Sequence, residues 1–374
     1  MNSVKKIFVS IPWFHPAFRA GGPVQSVANM VNELKEGYEF YIFCGNTDLN
    51  NTSLENIETG KWILYNDHTK VWYAASSNRS SVLVNLVEKT RPDVLFIIGV
   101  YSWHFNLVPW IFCKAPVKIL SARGMLHPGA LSQKNSKKKI FLKLFKLLGM
   151  QGKGIFHATD ETEKNHTREI MGPDVKIRVA GNFPRRFEPG QPILKKAGSL
   201  HLISIALISP MKNHLLVLQA LETVTALIVY HICGPVKDME YWQQCLEQIK
   251  KMPPNVTVHY HGDIQPAKVY EFLSAGQVFI LPSKSENFGH AFYEALSAGK
   301  PVITSHFTPW QKLDEKQAGM NIELTAMAVK DSIEQFARMD QATYEAWSNA
   351  AVDYATDSIN IPSLQESYRL LFNA

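Results

Sequence analysis

Short apolar runs rich in β-branched residues alternate along the chain with helical patterns, and this alternation constrains the fold more than any other feature. It is typical of α/β proteins, in which helices cover parallel sheets. The strands predicted in the first half are 6–11, 40–44, 71–73, 94–98, 117–120, 154–158 and 177–179. Those predicted in the second half are 201–207, 227–233, 256–261, 278–281 and 302–304. The pattern therefore predicts two successive α/β units.

A break rich in proline and glycine separates the two units. Three prolines and two glycines fall between residues 182 and 199, a composition that is incompatible with a regular helix or strand. We expect a first domain over 1–185, a linker over 186–199 and a second domain over 200–355. The last segment, 356–374, is expected to be a helix that packs back on the first domain. Ligands of Rossmann-like domains bind at the carboxyl ends of the strands, and here we expect a cleft between the domains.

The composition is that of a globular protein with a sizeable core, since 46% of the residues are hydrophobic and 19% are charged. The four cysteines are widely spaced, which favours buried thiols in a reducing compartment over a disulfide or zinc framework. The first apolar run, 7–11, is too short for a signal sequence, and the longest, 94–100, is too short to span a bilayer. We therefore expect a cytoplasmic protein.

The formal net charge is +6, and much of the positive charge lies in a predicted helix, 130–148, and just after it. The lysines of this stretch are Lys134, Lys137, Lys138, Lys139, Lys143, Lys146 and Lys153. One interpretation is a solvated helix face. The other is peripheral contact with an anionic membrane surface, because apolar residues are interspersed with the lysines. These residues, expected to form an apolar face, are Ile140, Phe141, Leu144, Phe145 and Leu148. We do not predict nucleic-acid binding, because the stretch contains no recognised nucleic-acid-binding module.

The most informative segment spans residues 281–303, where a buried strand runs into a polar loop, a helix and another strand. Glu286 lies in the loop and Glu294 in the helix. Even a continuous helix would separate them by about 12 Å along its axis, at about 1.5 Å per residue. This separation suits the two ends of an extended ligand such as a nucleotide sugar better than a close catalytic pair. Gly289 lets the backbone approach a ligand, and the helix after it offers free N–H groups to an anion.

This segment resembles the E-x7-E signature of the large retaining glycosyltransferase family 4, also called group 1. The continuation Thr308-Pro309-Trp310 is similar to bacterial polysaccharide-assembly members of that family. The resemblance covers most of the chain and is strongest from residue 204 to residue 310. It implies the α/β GT-B fold, with two Rossmann-like domains facing each other across a cleft. It also implies a UDP- or GDP-linked sugar donor as substrate and no separate cofactor.

The resemblance also assigns roles to residues of the loop and helix. Glu286 is implied to contact the donor hexose, and Glu294 is implied to contact the ribose of the nucleotide. The backbone N–H groups implied to hold the hexose hydroxyls and phosphate are those around Asn287, Phe288 and Gly289. His290, at the helix start, is expected either to contact the donor or to pack at the helix end.

Lys212 lies at a strand-to-helix turn, where a compact positive charge suits phosphate. The family has an R-x4-K pair here that neutralises the donor pyrophosphate, and Lys212 matches its lysine. The arginine position is Leu207 in this chain, so one expected cation is absent or supplied from elsewhere. Arg123 stands where many family members carry histidine, and it is the candidate to help offset the leaving-group charge. We therefore expect Glu286, Lys212 and Arg123 to be the catalytic residues.

Three further positions have two interpretations each. Gly21 and Gly22 either form a tight turn before the first helix or correspond to the Gly-Gly loop that the family has near the donor phosphates and acceptor. Asn182 matches an asparagine that precedes the family's linker, with a role in a turn as the alternative. His127 is expected either to bind the acceptor or to be a capping or buried histidine.

The expected function is transfer, with retention, of a hexose-type sugar to a saccharide or lipid-linked saccharide acceptor in polysaccharide biosynthesis. No D-x-D motif occurs, so we expect a metal-independent enzyme. P-loop, H-E-x-x-H and G-x-S-x-G motifs are absent as well. Two alternatives stay open. One is a catalytically weak nucleotide-sugar-binding or scaffold protein, which Leu207 favours, and the other is a nucleotide-sugar epimerase on the same fold.

Overall fold

The computed structural model describes residues 4–75, 77–127, 135–190 and 193–374. Lys134 and the start of the predicted helix 130–148 lie outside these ranges. The chain divides into two compact units, each built on a mainly parallel sheet. The first unit comprises Met1–Phe183 and Ile361–Ala374, and the second comprises Pro184–Asn360. The two-unit α/β architecture predicted from the alternating pattern is therefore confirmed.

The sheet of the first unit has the strands β1 (Lys5–Ser10), β2 (Tyr38–Gly45), β3 (Trp62–Asn66), β4 (Thr69–Ala74), β5 (Val94–Ile98), β6 (Val117–Ser121), β7 (Ile155–Ala158) and β8 (Ile177–Val179). Hydrogen bonds join them in the order β3-β4-β2-β1-β5-β6-β7-β8. Only β3 runs antiparallel to its neighbour, β4, among these strands. Every residue of β5 is buried, because helices cover both faces of the sheet.

Among the described residues up to 183, the helices are α1 (Gly22–Glu33), α2 (Arg79–Thr90), α3 (Val108–Phe112), α4 (Asn135–Leu147) and α5 (Glu161–Met171). A π-helical turn, Trp103–Leu107, precedes α3. Ile7 and Val9 of β1 share an apolar cluster with α1, whereas Phe8 belongs to the cluster formed with α2 to α5. The alternation of side chains along β1 thus sends neighbouring residues to opposite faces of the sheet.

Helix α4 lacks the combined apolar face that the sequence suggested. Phe145 is buried in the core and Phe141 packs beside it, whereas Ile140, Leu144 and Leu148 are exposed. Residues four apart lie on the same side of a helix, and neighbouring residues do not. The five apolar residues therefore divide between two sides of α4, of which one packs on the unit.

The sheet of the second unit has the strands β9 (Ser199–Ile205), β10 (Leu227–Cys233), β11 (Val256–Tyr260), β12 (Val278–Leu281), β13 (Val302–Ser305) and β14 (Gly319–Ile322). They pair in the order β11-β10-β9-β12-β13-β14, and every neighbouring pair is parallel. β14 is not among the predicted strands. It begins at Gly319, where a Cβ would collide with the backbone of Val302, so the close approach of these strands requires glycine.

The helices of the second unit are α6 (His214–Leu221), α7 (Met239–Ile249), α8 (Val269–Ser274), α9 (His290–Ser297), α10 (Ala326–Arg338) and α11 (Gln341–Ser358). The side chains of Asp238, Thr325 and Asp340 cap α7, α10 and α11 by accepting hydrogen bonds from backbone N–H groups of the first turn. Among the helices in the described part of the chain, none is both long and apolar enough to cross a bilayer.

The segment expected to be a linker, 186–199, is counted within the second unit. The buried Lys195 shows how part of it is held. Its ammonium nitrogen lies 2.8–3.0 Å from the carbonyl oxygens of Lys196, Ser199, Ala337 and Met339, which share its three N–H donors. The last carbonyls of a helix lack partners within the helix, so Lys195 satisfies the carboxyl end of α10.

The last helix, α12 (Ile361–Phe372), belongs to the first unit. Tyr368 stacks on Phe183 with ring centroids 5.2 Å apart. Lys5 Nζ donates a hydrogen bond to the Phe372 carbonyl at 3.0 Å. Tyr368, Leu371 and Phe372 are buried in the same apolar cluster as β1. The end of the chain therefore completes the core of the unit in which the chain begins.

Candidate functional site

The strand order of the second sheet reverses between β9 and β12. In open α/β sheets, ligands bind beyond the carboxyl ends of the two strands at such a reversal. The loops that follow β9 and β12 are neighbours here, since the Lys284 N–H donates to the Met211 carbonyl at 2.9 Å. These two loops carry Lys212 and Glu286, which the sequence singled out separately.

Lys212 and Glu286 form an ion pair between Nζ and Oε1. The Ser283 hydroxyl donates a hydrogen bond to the same carboxylate oxygen at 2.8 Å. Both members of the pair are largely buried. An ammonium group has three N–H donors, and a carboxylate on one side fixes its position. This arrangement suits an anionic ligand that also offers hydroxyl groups to the carboxylate.

Gly289 precedes α9 in a left-handed conformation with a φ of 74°. A Cβ at this position would collide with the Phe292 ring, so the turn requires glycine. Within the described residues no side chain caps the start of α9, and its first N–H groups are offered to the loop. Trp310 Nε1 donates to the Phe288 carbonyl at 2.7 Å and holds the loop in place.

Glu294 lies in α9 and is 5% exposed. Burial raises the pKa of this carboxyl to about 7, and the positive charge of Arg185 opposes that rise. The Arg185 Nε and Nη2 atoms lie 3.1 and 2.9 Å from Glu294 Oε1. Arg185 Nη1 also donates to the Pro266 carbonyl at 3.1 Å, and its guanidinium stacks over the Phe187 ring at 4.7 Å. The guanidinium is thus fixed in several directions and bonded to one oxygen of Glu294.

Sequence reasoning missed Arg185. It lies in the proline-rich stretch taken as a linker boundary, and its partner is 109 residues further along the chain. Nothing in the local pattern indicates this contact. By contrast, Asn287 and His290 lie where the sequence placed them, on either side of Phe288 and Gly289. The His290 ring meets the Phe288 ring edge-on, with centroids 4.8 Å apart.

Arg123 follows β6 in the first unit and adopts a left-handed conformation with a φ of 50°. Its Nη1 donates to Asn182 Oδ1, so two residues singled out in the sequence are in contact. Among the described residues, the buried Nε and Nη2 atoms have no hydrogen-bond partner. The buried His157 forms hydrogen bonds with the Ser121 hydroxyl and the Ala180 carbonyl, both at 2.8 Å. Burial, followed by the Arg123 charge, lowers the pKa of His157 to about 3, so this imidazole is neutral.

The Gly21–Gly22 turn follows β1, the central strand of the first sheet. Gly21 has a φ of 78° and immediately precedes α1. A Cβ on Gly22 would meet open space, so packing alone does not require glycine there. Gly21 therefore has a conformational role, whereas a ligand-binding role for Gly22 stays a prediction.

The His127 ring meets the His166 ring edge-on, with the ring centroids 4.8 Å apart, and burial lowers the pKa of His127.

Comparison with known protein families gives a match within the second unit. Residues 186–352, which lie within the second unit and include Lys212, Glu286 and Glu294, match the family model for glycosyl transferases group 1. A comparison with curated protein sequences gives no match.

Solved structures of similar fold cover nearly the whole chain. Sucrose-phosphate synthase from Thermosynechococcus elongatus has a TM-score of 0.75 at 17% identity, over 99% of each chain. HepE from Anabaena, in complex with UDP and glucose, has a TM-score of 0.71 at 12% identity, over 99% of each chain. WaaG, a glycosyltransferase involved in lipopolysaccharide biosynthesis, has a TM-score of 0.67 at 12% identity, over 96% of this chain and 97% of WaaG. The fold is that of the GT-B glycosyltransferases, as the sequence resemblance implies.

Proposed function

We propose that the protein is a retaining glycosyltransferase that takes a hexose-type sugar from a nucleotide-sugar donor. The observation that carries this proposal is the partly buried Lys212–Glu286 pair, which lies at the strand-order reversal within the segment that matches group 1 glycosyl transferases. The pair combines a cation for the diphosphate with a carboxylate for the sugar hydroxyls.

The diphosphate needs several donors at once. A helix amino terminus contributes only about 0.3–1 kcal/mol at a surface and about 2 kcal/mol in a partly buried site. We assign the diphosphate to Lys212 and to the N–H groups at the start of α9. These groups are fixed before the reaction, so they stabilise the negative charge that grows on the leaving group without further reorganisation.

The two acidic residues serve the two ends of the donor. Glu286 accepts hydroxyl groups of the hexose, and the backbone of Asn287, Phe288 and Gly289 lines the same end. Glu294 accepts the ribose hydroxyls of the nucleotide. UDP- and GDP-linked sugars are the candidate donors, and HepE, one of the proteins of similar fold, is described in complex with UDP and glucose.

Retention fits attack of the acceptor on the face from which the diphosphate departs. We do not assign a nucleophilic role to Glu286, because we assign its carboxylate to the hexose hydroxyls. We assign to Arg123 a supporting positive charge for the leaving group, since two of its buried N–H-bearing atoms lack partners among the described residues. Protein cations would then do the work that a metal ion does in metal-dependent transferases.

The acceptor is proposed to be a saccharide or a lipid-linked saccharide of a polysaccharide pathway. WaaG, of similar fold, is described as taking part in lipopolysaccharide biosynthesis. The Gly21–Gly22 turn is the candidate of the first unit for contact with the donor phosphates and the acceptor.

A thermal-denaturation screen with UDP-, GDP- and dTDP-sugars tests donor binding. Ligands that bind the folded state alone stabilise it, by about 2.7 kcal/mol at one hundred times the dissociation constant. We expect one donor class to raise the melting temperature of the wild type and of Lys284→Ala, which removes an exposed lysine of the neighbouring loop after β12. Lys212→Ala should lose most of this shift. An equal shift in Lys212→Ala would contradict the proposed diphosphate site.

A second candidate function, a nucleotide-sugar-binding protein without turnover, is favoured by Leu207, which stands where an arginine is expected. The two functions differ in product formation. Incubation of the bound donor with acceptor extracts should release the nucleoside diphosphate if the protein is a transferase. Binding without release in any extract would favour the second candidate.

A further inference from the structure

Four large aliphatic side chains stand exposed along α4 and at the residue after it. They are Ile140, Leu144, Leu147 and Leu148, which are 61%, 51%, 78% and 64% exposed, and we name them the α4 ridge. Spacings of three and four residues place them on one side of the helix. The Leu148 N–H donates to the Leu144 carbonyl at 3.0 Å, so the helical path continues to the end of the ridge.

The fold does not use the ridge to hold α4 in place. Leu142 and Phe145, on another side of the helix, are buried in the core of the first unit. Lys138 lies 5.6 Å from the centre of the Tyr101 ring on that packed side. The helix is therefore anchored independently, and the ridge remains a surface feature that packing does not explain.

Positive charge surrounds the ridge. At 3.6 residues per turn, the exposed Lys139, Lys143 and Lys146 form a row along one flank, and Lys137 falls at the ridge itself. The sequence from Val94 to Thr159 contains ten lysines and arginines and no aspartate or glutamate. The positive charge of this stretch thus exceeds the net charge of the entire chain, which is +6.

We propose that the α4 ridge inserts into the headgroup region of an anionic lipid bilayer, with the flanking lysines bound to lipid phosphates. A bilayer surface offers a continuous negative layer over an apolar interior, which matches an aliphatic row flanked by cations. A second copy of this chain is a poorer match, because two such surfaces would bring like charges together. A solvated helix face, the other interpretation of this stretch, leaves the four aliphatic side chains without a function.

Vesicle flotation tests the proposal directly. The purified full chain is mixed with vesicles of phosphatidylcholine alone or of phosphatidylcholine and phosphatidylglycerol. We expect it to float with the anionic vesicles and to stay behind with the neutral ones. Added salt should weaken this binding, because it screens the lysines.

Two pairs of matched variants separate insertion from simple charge attraction. Ile140→Ser with Leu144→Ser should weaken binding to anionic vesicles about a hundredfold, whereas Leu64→Ser with Leu370→Ser, at equally exposed leucines elsewhere in the first unit, should not. Lys139→Gln with Lys143→Gln should weaken binding about thirtyfold. Lys35→Gln with Lys89→Gln makes the same change in net charge at exposed sites away from α4 and should leave binding nearly unchanged.

Several outcomes would overturn the proposal. One is failure of the wild type to bind anionic vesicles. Another is equal binding of the ridge variant and the wild type, which would show attraction without insertion. A third is a concentration-dependent dimer that disappears in the ridge variant, which would make the ridge a contact between copies. Equal melting temperatures of all variants exclude misfolding as the cause of lost binding.

Discussion

The burial of Glu294 and its contact with Arg185 lead us to expect that the candidate donor site depends on pH. Burial raises the pKa of Glu294 to about 7, and the guanidinium opposes the rise. Because the folded-state pKa lies above the unfolded value, this carboxyl favours folding at low pH, and that contribution is lost as the pH rises through about 7. Loss of ligand binding on the acid side therefore does not arise from unfolding driven by Glu294.

The affinity for a nucleotide sugar should increase as the pH rises through about 7. An ionised carboxylate accepts hydrogen bonds from both ribose hydroxyls, whereas the protonated form is a weaker acceptor. Titration calorimetry with UDP-glucose and GDP-mannose from about pH 6 to about pH 8 measures this change. Glu294→Gln should bind more weakly and show no change over that range. A wild-type affinity that is constant or falls with pH would contradict the assigned role of Glu294.

Removal of the guanidinium should move this pH dependence upward. In Arg185→Met the buried carboxyl loses its positive neighbour, so its pKa rises and donor affinity at neutral pH falls. The affinity should recover at higher pH, which a purely structural defect would not produce. Arg186→Met is the matched control, because Arg186 is exposed and its ion pair with Glu188 is long, with 3.9 Å between Nε and Oε1. The same pH profile in both variants would show that Arg185 does not set the charge of Glu294.

The residues of the candidate site differ in how far the sequence predicts them. Glu286, Glu294 and Lys212 follow strands in segments whose spacing carries a recognisable motif, and parallel strands bring their carboxyl ends to one edge. Arg185 belongs to no motif, and its contact with Glu294 spans 109 residues. The ion pair of Lys212 with Glu286 spans 74 residues and likewise appears only in the fold.

At the scale of the elements, the turn into α9 depends on Gly289. Gly289→Ala adds a left-handed strain and a collision with Phe292, so we expect a loss of about 1–3 kcal/mol in the free energy of unfolding. Donor affinity should fall as well, because the first N–H groups of α9 shift. Gly198→Ala, at a left-handed glycine of the same unit with open space around it, should cost less and leave donor affinity unchanged. Denaturant unfolding and calorimetry measure both quantities, and equal effects of the two substitutions would contradict this account.

The elements that the sequence failed to predict have physical reasons. β14 contains a glycine and an asparagine and only four residues, so it lacks the β-branched run that marks the other strands. β3 is an edge strand with no fully buried residue, although its four consecutive apolar residues were an available signal. Helix α4 was predicted from its pattern, but which apolar side packs depends on the sheet beneath it.

At the scale of the whole molecule, the alternation of strands and helices was sufficient to predict two α/β units, whereas the GT-B fold was predicted from the resemblance to a known family. This alternation does not show that Lys5 donates a hydrogen bond to the carbonyl of Phe372, near the opposite end of the chain. Such contacts depend on where α12 packs, and an amphipathic helix alone does not specify its partner. The contacts of the last helix with the first unit are therefore known only from the structure.

Tyr368→Ala tests whether α12 is part of the core of the first unit. The ring is 1% exposed and stacks on Phe183, so its loss should cost about 3–5 kcal/mol in the free energy of unfolding. Leu370→Ala, two residues further along and 61% exposed, should cost less than about 0.5 kcal/mol. Denaturant unfolding compares the two variants. A cost as small for Tyr368→Ala as for Leu370→Ala would show that α12 does not complete this core.

The central claim is that Lys212 binds the donor diphosphate while Glu286 binds the sugar attached to it. Calorimetry of UDP and UDP-glucose, and of GDP and GDP-mannose, with the wild type, Lys212→Ala and Glu286→Gln tests it most directly. We predict that Lys212→Ala weakens the nucleoside diphosphate and its sugar conjugate about equally, by tenfold or more. Glu286→Gln should weaken the sugar conjugate and leave the nucleoside diphosphate nearly unchanged. Unchanged binding of both ligands by both variants would contradict the account.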